Sequence, residues 1–242
     1  MNYIKDIFSF VRRGNGNVHS DAVDLLGRLT MEKKHTKIEA GGTTVPLKVT
    51  KGHFVTNHSH TNYYIDLTTI KSRSSEAHGI AEALVQQFLF GTIVDTIICN
   101  EGTEVIGAYL ADELSKDGFL NTNAHKTIYV VTPEFNSNSQ IIFRDNIRPM
   151  ISGKNVLILF GSVSTGKSAN RVIEAVHYYG GTLTCIASVF SATDAVNGIP
   201  VRAVFTKKEL PDYQCTDYHD CPLCRGNVPI DGLVNAFGVS ML

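Results

Sequence analysis

Long apolar runs alternate with amphipathic stretches through the middle of the chain. The apolar runs predict strands at 93–99, 127–131, 156–160, 182–190 and 201–205. The amphipathic stretches predict helices at 103–116 and 167–179. Strands that are apolar at nearly every position are typical of a parallel sheet that helices cover on both faces. Ligands of such sheets bind beyond the carboxyl ends of the strands. The loops after Cys99, Val131 and Phe160 are therefore the candidate binding loops.

The chain before this region predicts a cap of helix and strands. Ser20 is a suitable N-cap for a helix that runs to about residue 35. Strands are predicted at 43–49 and 63–67, and a second helix from Ser75 is expected to stop at Gly91. The chain after the last predicted strand has a different composition, with three cysteines and a histidine close together.

These patterns divide the chain into three predicted parts. Residues 1–72 form the N-terminal helix and β cap, residues 73–209 form the α/β core, and residues 210–242 form a small Cys-rich appendage. The predicted fold class is therefore α/β, with a parallel sheet and flanking helices.

The composition fits a soluble globular protein and argues against several partners. Hydrophobic residues make up 43% of the chain and charged residues 19%, and the formal net charge is −1. This balance gives no bulk attraction to nucleic acid or to an anionic membrane, so neither is expected as a partner. The N-terminal residues lack the pattern of a signal peptide. Cys99 and Cys185 lie inside apolar runs, as reduced core cysteines do, which predicts a cytoplasmic protein.

A loop rich in glycine and hydroxyl residues joins the strand at 156–160 to the helix at 167–179. Unpaired N–H groups and a partial positive charge make the N-terminus of a helix a binding site for anions. The plain alternative is a strand-to-helix turn whose hydroxyls only cap the helix. We predict phosphate binding by Ser164, Thr165, Gly166, Lys167 and Ser168.

The same segment, 161–168, fits the phosphate-loop pattern G-x-x-x-x-G-K-[ST] of nucleoside triphosphatases. Its context fits less well, because such a domain needs a later strand that ends in an aspartate for Mg²⁺. After the strand at 182–190 the first carboxylate is Asp194, beyond a polar stretch. A P-loop nucleotide hydrolase is therefore the third functional hypothesis.

The strand at 155–159 (Asn-Val-Leu-Ile-Leu) and the turn at 163–166 (Val-Ser-Thr-Gly) resemble the phosphoribosyl-pyrophosphate loop of type I phosphoribosyltransferases. In that family the turn cradles the 5′-phosphate of the sugar. Three further segments, in the expected order, are similar to orotate phosphoribosyltransferases: 60–67, 95–102 and the Cys-Pro-Leu-Cys tail at 221–229.

This resemblance implies a type I phosphoribosyltransferase-like sheet and a set of ligand residues. The cap would contribute to the base-side site, where Tyr63 and Tyr64 would bind the base. The pyrophosphate would be bound by Asn100, Glu101, Gly102 and Thr103. The resemblance also implies Mg²⁺ as cofactor, phosphoribosyl pyrophosphate and a nucleobase or nucleotide as partners, and a homodimer whose subunits complete each other's sites.

The chain departs from the family at positions that carry the chemistry. Phe160 and Gly161 stand where the family has two acidic residues that bind the ribose hydroxyls and stabilise positive charge on the sugar ring. Residues 132–136 replace an Arg-Lys pair of the mobile catalytic loop, and Glu104 stands where a small residue is usual. No catalytic residue is therefore assigned.

Two hypotheses follow beside the hydrolase. The first is an orotate phosphoribosyltransferase-like enzyme of pyrimidine nucleotide synthesis, a glycosyltransferase. The second is a non-catalytic regulator that binds a phosphoribosyl compound or nucleotide. Fold alone does not decide between them.

The tail offers four soft metal ligands within a short segment: Cys215, His219, Cys221 and Cys224. A structural zinc site takes four such ligands in a tetrahedron, and C-x2-C is a common half-site. The alternative is a tight turn of reduced cysteines packed on the domain. Three other histidines, His53, His58 and His60, lie in a β-rich polar segment. Solvated side chains are the expectation for them, and a metal or base site is the alternative.

Overall fold

The computed structural model describes residues 35–88, 92–116, 127–137 and 140–242. In chain order its strands are β1 (Thr36–Ile38), β2 (Leu47–Val55), β3 (His60–Asp66), β4 (Thr96–Cys99), β5 (Tyr129–Val131), β6 (Glu134–Phe135), β7 (Ile141–Ile142), β8 (Asn155–Val163), β9 (Thr182–Ser191), β10 (Ala195–Val196), β11 (Ile199–Thr206), β12 (Cys215–Thr216), β13 (Gly232–Asn235) and β14 (Gly238–Met241). Its helices are α1 (Thr68–Ser72), α2 (Ser74–Val85), α3 (Glu104–Ser115), α4 (Lys167–Tyr178) and α5 (Pro222–Arg225), with 3-10 turns at Arg148–Met150 and Tyr218–Asp220. The helix predicted from Ser20 lies outside the described residues. None of the helices described has both the length and the apolar character needed to cross a bilayer.

The central sheet consists mainly of parallel strands, which confirms the predicted α/β class. Its order is β10-β11-β9-β8-β4-β5, and each neighbouring pair is parallel except β10 with β11. The strands predicted in this region are all present, with ends shifted by a few residues. The carboxyl ends of β4 and β8, which are neighbours, therefore meet at one edge of the sheet.

Two of the shifted strand ends in this sheet bear on the site. β4 begins at Thr96 rather than at residue 93. β8 continues past Phe160 to Val163, because its ladder with β9 extends to the pair Val163 and Ser191. The predicted glycine-bearing loop is thus shortened, and residues 161–163 use their backbone in the sheet.

The strands of the central sheet are buried on both faces. Leu157 and Leu159 of β8 belong to one apolar core, together with side chains of α2 and α3. Ile158 and Phe160 point to the other face and pack in a second core with Val176 and other residues of α4. This alternation explains why the sequence of β8 is apolar at successive positions.

A second sheet joins the predicted cap to the predicted appendage. Its order is β12-β3-β2-β13-β14, and β1 also pairs with β2. β12 is antiparallel to β3, while β13 is parallel to β2, with Gly232 opposite Phe54. Strands from the C-terminal segment therefore flank the β2–β3 hairpin on both sides. Their backbone hydrogen bonds fix this segment against the hairpin.

Candidate functional site

A cavity of about 510 Å³ lies beyond the carboxyl ends of β4 and β8. Its walls come from the turn before α4, the loop after β4, the segment from β3 to α1, the β2–β3 turn and the β13–β14 turn. This position is where parallel α/β sheets hold their ligands, and the volume lies within the range of small-molecule sites.

The predicted phosphate-binding residues, 164–168, all line this cavity. Gly166 is the N-cap of α4 and has φ +77°, a left-handed conformation that disfavours other residues. A Cβ atom at this position would lie 2.9 Å from Cγ2 of Val196. Glycine is therefore required here for two reasons, and it brings the backbone and the N-terminus of α4 to the cavity.

Two of these residues already have partners in the protein. The Ser164 Oγ and Tyr213 Oη atoms are 2.7 Å apart, and burial raises the pKa of the Tyr213 phenol, which stays neutral. The Lys167 Nζ atom is 3.6 Å from Asp217 Oδ2 in an exposed ion pair. Exposed pairs of this kind are weak, so an anion can compete for Lys167.

The four predicted pyrophosphate residues separate into two groups. Asn100 is buried, and its backbone N–H donates to Leu159 O (2.9 Å), while the hydroxyl of Thr103 donates to Asn100 O (2.9 Å). These hydrogen bonds hold the turn together from inside. Glu101 and Gly102 line the cavity instead.

Glu101 places a carboxylate beside β8, where the sequence has no acidic residue. Its Oε2 accepts a hydrogen bond from the backbone N–H of Ser162 (3.4 Å), and a Cβ atom on Gly161 would lie 3.3 Å from the same oxygen. Gly161 therefore leaves room for this carboxylate. Burial raises the pKa of Glu101, although the N–H of Ser162 and the charge of Lys71 oppose the shift.

Lys71 is a cavity residue that sequence reasoning missed. Its Nζ atom donates to Glu101 O (2.7 Å) and to Ala236 O (2.9 Å). Burial lowers its pKa, and the negative charges of Glu101 and other carboxylates raise it in part. No motif marks this lysine, since it lies on α1 and reaches the loop after β4 only in the folded chain.

The two tyrosines predicted to bind a base face opposite sides of β3. Tyr64 is 7% exposed and lines the cavity, with its hydroxyl 3.5 Å from Asp66 Oδ1. Burial, and then the charge of Asp66, raise the pKa of Tyr64. Tyr63 packs instead against the core formed by α2, α3 and the sheet.

Of the positions where the chain departs from the family pattern, Phe160 borders the cavity, whereas residues 132–136 and Glu104 do not line it. Phe160 is 2% exposed and its side chain packs against α4. In the altered segment 132–136, Glu134 of β6 forms an exposed ion pair with Arg144, which follows β7 (2.7 Å). Glu104 accepts a hydrogen bond from Thr132 (3.3 Å), so its carboxylate is directed to the neighbouring loop.

The predicted zinc ligands are not brought together as a set. Cys221 and Cys224 lie next to His53 and His60, with the ligand atoms of all four within 4.8 Å of one another. Cys215 and His219 lie outside this cluster.

The reason lies in local structure. Cys215 is fixed in β12, where it pairs with β3, and His219 stacks on Tyr218 at 3.7 Å between ring centroids. The expectation that His53 is solvated is wrong, because its side chain is 1% exposed.

Comparison with curated proteins finds sequence similarity to orotate phosphoribosyltransferases. The chain is 33% identical over 81 residues to the orotate phosphoribosyltransferase of Thermotoga maritima, which covers 33% of this chain and 41% of that protein. It is 24% identical over 185 residues to the orotate phosphoribosyltransferase of Caldanaerobacter subterraneus, covering 75% of this chain and 88% of that protein. The chain thus spans about half the length, 41% to 58%, of the Thermotoga relatives it matches.

A solved structure shares the fold. UMP synthase of Leishmania donovani superposes with a TM-score of 0.51 at 18% identity, covering 67% of this chain and 34% of that chain. No protein-family model matches the chain. At this identity the structural likeness shows the fold alone.

Proposed function

We propose that this chain is a divergent type I phosphoribosyltransferase, whose cavity binds a phosphoribosyl compound and transfers phosphoribose to a nitrogenous base. The reaction proposed is that of an orotate phosphoribosyltransferase-like enzyme, with phosphoribosyl pyrophosphate as donor, in pyrimidine nucleotide synthesis. The observation that carries the proposal is the convergence of the α4 N-terminus, the Glu101 carboxylate and Tyr64 on one cavity.

The phosphate end of the donor fits the start of α4. The backbone N–H groups of this end are directed to the cavity, and the helix dipole favours a dianion there. Ser164 and Thr165 add hydroxyl groups, and Lys167 adds a cation once it leaves Asp217. We assign the sugar 5′-phosphate to this turn.

The sugar ring is placed next to Glu101. Bond cleavage at C1 of the sugar leaves positive charge on the ring, and a fixed carboxylate stabilises such charge. Glu101 reaches the space beside Gly161 from the loop after β4, whereas the acidic pair of the family precedes the phosphate turn. We propose that Glu101 takes over part of the role of that pair.

Mg²⁺ is the cofactor that the family implies, and the donor set is compatible with it. Mg²⁺ is usually held by one or two carboxylates together with substrate phosphates. Among the described residues that line the cavity, Glu101 supplies a carboxylate and Lys71 a cation near the same loop. Glu101 would hold the metal, which when bound would neutralise charge on the leaving pyrophosphate. A homodimer stays a prediction of the family resemblance, and a cytoplasmic location stays a prediction from the cysteines in the apolar runs.

A binding regulator is the second candidate. Phe160 is packed in the core and Gly161 has no side chain, so the ribose-binding acids of the family are absent from their own strand. If Glu101 does not replace them, the phosphate turn still binds its ligand but the transfer is lost.

The hydrolase hypothesis has less support. In a triphosphatase loop, free backbone N–H groups surround the phosphates. Here residues 161–163 belong to β8 and pair with β9.

A titration with an assay separates these functions. Purified protein is titrated with phosphoribosyl pyrophosphate, orotidine monophosphate, ATP and orotate, with and without Mg²⁺, and pyrophosphate release is then measured with orotate and with other bases. The enzyme hypothesis expects Mg²⁺-dependent pyrophosphate release with at least one base. Phosphoribosyl binding without turnover on any base would leave the regulator, and ATP hydrolysis would restore the P-loop hypothesis.

A further inference from the structure

A cluster of two histidines and two cysteines lies at the junction of the β2–β3 hairpin and the C-terminal segment. His53 and His60 come from the hairpin, Cys221 directly precedes α5, and Cys224 lies within it. His60 is opposite Val55 in the antiparallel ladder. His53 lies where the ladder is irregular, between Lys51 and Phe54, and its ring centroid is 5.1 Å from that of His60, so both side chains lie on the same face of the hairpin.

The distances within the cluster fit a tetrahedral metal site. His53 Nε2 is 3.0 Å from His60 Nδ1 and 3.6 Å from the Sγ atoms of both Cys221 and Cys224. Cys224 Sγ is 3.2 Å from His60 Nδ1. Zinc bonds of about 2.0–2.1 Å to nitrogen and about 2.3 Å to sulfur imply tetrahedral edges of roughly 3.3–3.8 Å. The observed separations lie close to these values.

The surroundings also prepare His53 to act as a ligand. Its Nδ1 is 2.9 Å from Val228 O, to which it can only donate, so the lone pair lies on Nε2. A backbone carbonyl of this kind is the usual outer partner of a metal-bound histidine. The lone pair on His53 Nε2 faces three other ligand atoms, but it can accept only one good hydrogen bond. One metal ion would coordinate the two histidines and the two cysteines together.

We propose that His53, His60, Cys221 and Cys224 bind one structural Zn²⁺ ion. The site would be closed, since four protein ligands leave no position for water or substrate. It joins residues more than 160 positions apart in the chain, as the spacing of 168 between His53 and Cys221 shows. Its role would be to hold the C-terminal segment on the hairpin.

The segment held in this way reaches the cavity. Backbone N–H of His53 donates to Asp231 Oδ2 (2.8 Å), and Asp231 directly precedes β13, whose turn to β14 lines the cavity. Ala236 in this turn accepts the hydrogen bond from Lys71. Zinc would therefore stabilise one cavity wall at a distance from the ligand. The effect of zinc on the cavity rests on the proposed function, but the metal site itself does not.

Metal analysis of the full chain tests the site directly. The protein is produced in zinc-supplemented medium, purified without a histidine tag, and measured by inductively coupled plasma mass spectrometry. We expect about one zinc per chain in the wild type, and less than about a tenth of that in Cys224→Ser and His60→Ala. Cys215→Ser and His219→Ala are matched controls from the same tail, and they should keep the metal. Absence of zinc from the wild type, or equal loss in the controls, would overturn the proposal.

Two further measurements keep the test decisive if the variants do not fold. Wild-type protein reconstituted with Co²⁺ should show the intense visible bands of a tetrahedral site and thiolate-to-metal charge transfer. Octahedral Co²⁺ spectra, or a Cys221–Cys224 disulfide found by mass spectrometry of the unreduced protein, would reject the site. Affinity for phosphoribosyl pyrophosphate is measured before and after chelation. A loss of affinity after chelation supports the link to the cavity. If the untreated protein contains zinc and chelation leaves the affinity unchanged, only that link is rejected.

Discussion

At the residue scale, the carboxylate of Glu101 distinguishes an enzyme from a passive binder. Glu101→Gln keeps the size and shape of the side chain but removes its charge. We expect kcat/KM for phosphoribosyl transfer to fall roughly a hundredfold to a thousandfold, the range for removing a preorganised electrostatic group. Glu104→Gln is the matched control, since that carboxylate faces Thr132 on a neighbouring loop. Equal effects of the two substitutions would show that Glu101 has no special role.

The same residue gives a prediction about pH. Burial raises the pKa of Glu101 in the folded protein above that in the unfolded chain. Native protein then binds this proton more tightly, so the contribution of Glu101 to stability is present at low pH and is lost as pH rises through the folded pKa. Glu101→Gln should therefore raise Tm near neutral pH and flatten the dependence of Tm on pH, as measured by calorimetry. A lower Tm at neutral pH would mean that the hydrogen bond to Ser162 outweighs the cost of burial.

Gly166 is the other single residue on which the site depends. Gly166→Ala introduces a Cβ at φ +77° and 2.9 Å from Val196, which should cost about 1–3 kcal/mol in unfolding free energy and abolish phosphoribosyl binding. Gly198→Ala is a close control, because Gly198 has the same φ of +77° but no atom within 4 Å of its Cβ position. It should lose stability by about 1 kcal/mol and keep ligand affinity. Denaturant unfolding and calorimetric titration measure both quantities, and retained affinity in Gly166→Ala would mean that the phosphate binds elsewhere.

At the scale of elements, the sequence predicted the strands and helices of the core but not all of their ends. Apolar runs mark β8 and β9 because both faces of the sheet are buried, and this pattern is local. The extension of β8 to Val163 depends on how far β9 continues beside it, which is a property of the pair. The same limit applies to His53 and His60, because their partners Cys221 and Cys224 are distant in sequence and carry no signal linking them to the hairpin.

Strand alternation in β3 gives an element-scale prediction. Tyr64 lines the cavity and Tyr63 packs on the other face, although the sequence shows them only as neighbours. Tyr64→Ala should weaken binding of a base or nucleotide by about tenfold or more, consistent with about 1–3 kcal/mol for stacking on a nucleobase. Tyr63→Ala should change stability and leave affinity nearly unaltered. Calorimetric titration of both folded variants decides, and the reverse order of effects would place the base on the other face of β3.

At the scale of the whole molecule, the cavity is completed by chain segments from both ends of the described protein. The loops after β4 and β8 were predicted from the sequence as candidate binding loops, since they follow apolar strands. The wall formed by the β13–β14 turn was not, because the parallel pairing of Gly232 with Phe54 arises only in the folded chain. The tail predicted as a separate appendage thus shares a sheet with the hairpin that carries Tyr64.

Phe237 tests whether this wall takes part in binding. Its side chain is 96% exposed in the β13–β14 turn and lines the cavity, so it contributes little to the stability of the ligand-free protein. A large exposed aromatic at a cavity gains by covering a bound ring, and losing that contact costs about 1–1.5 kcal/mol, or about tenfold in Kd. Phe237→Ser should therefore weaken nucleotide binding about tenfold without lowering Tm. Phe135→Ser, at an exposed position on the β6–β7 hairpin outside the cavity wall, should change neither quantity. If Phe237→Ser leaves Kd unchanged while Tyr64→Ala raises it, the ligand contacts β3 but not the C-terminal wall, and the tail then serves only to hold the hairpin in place.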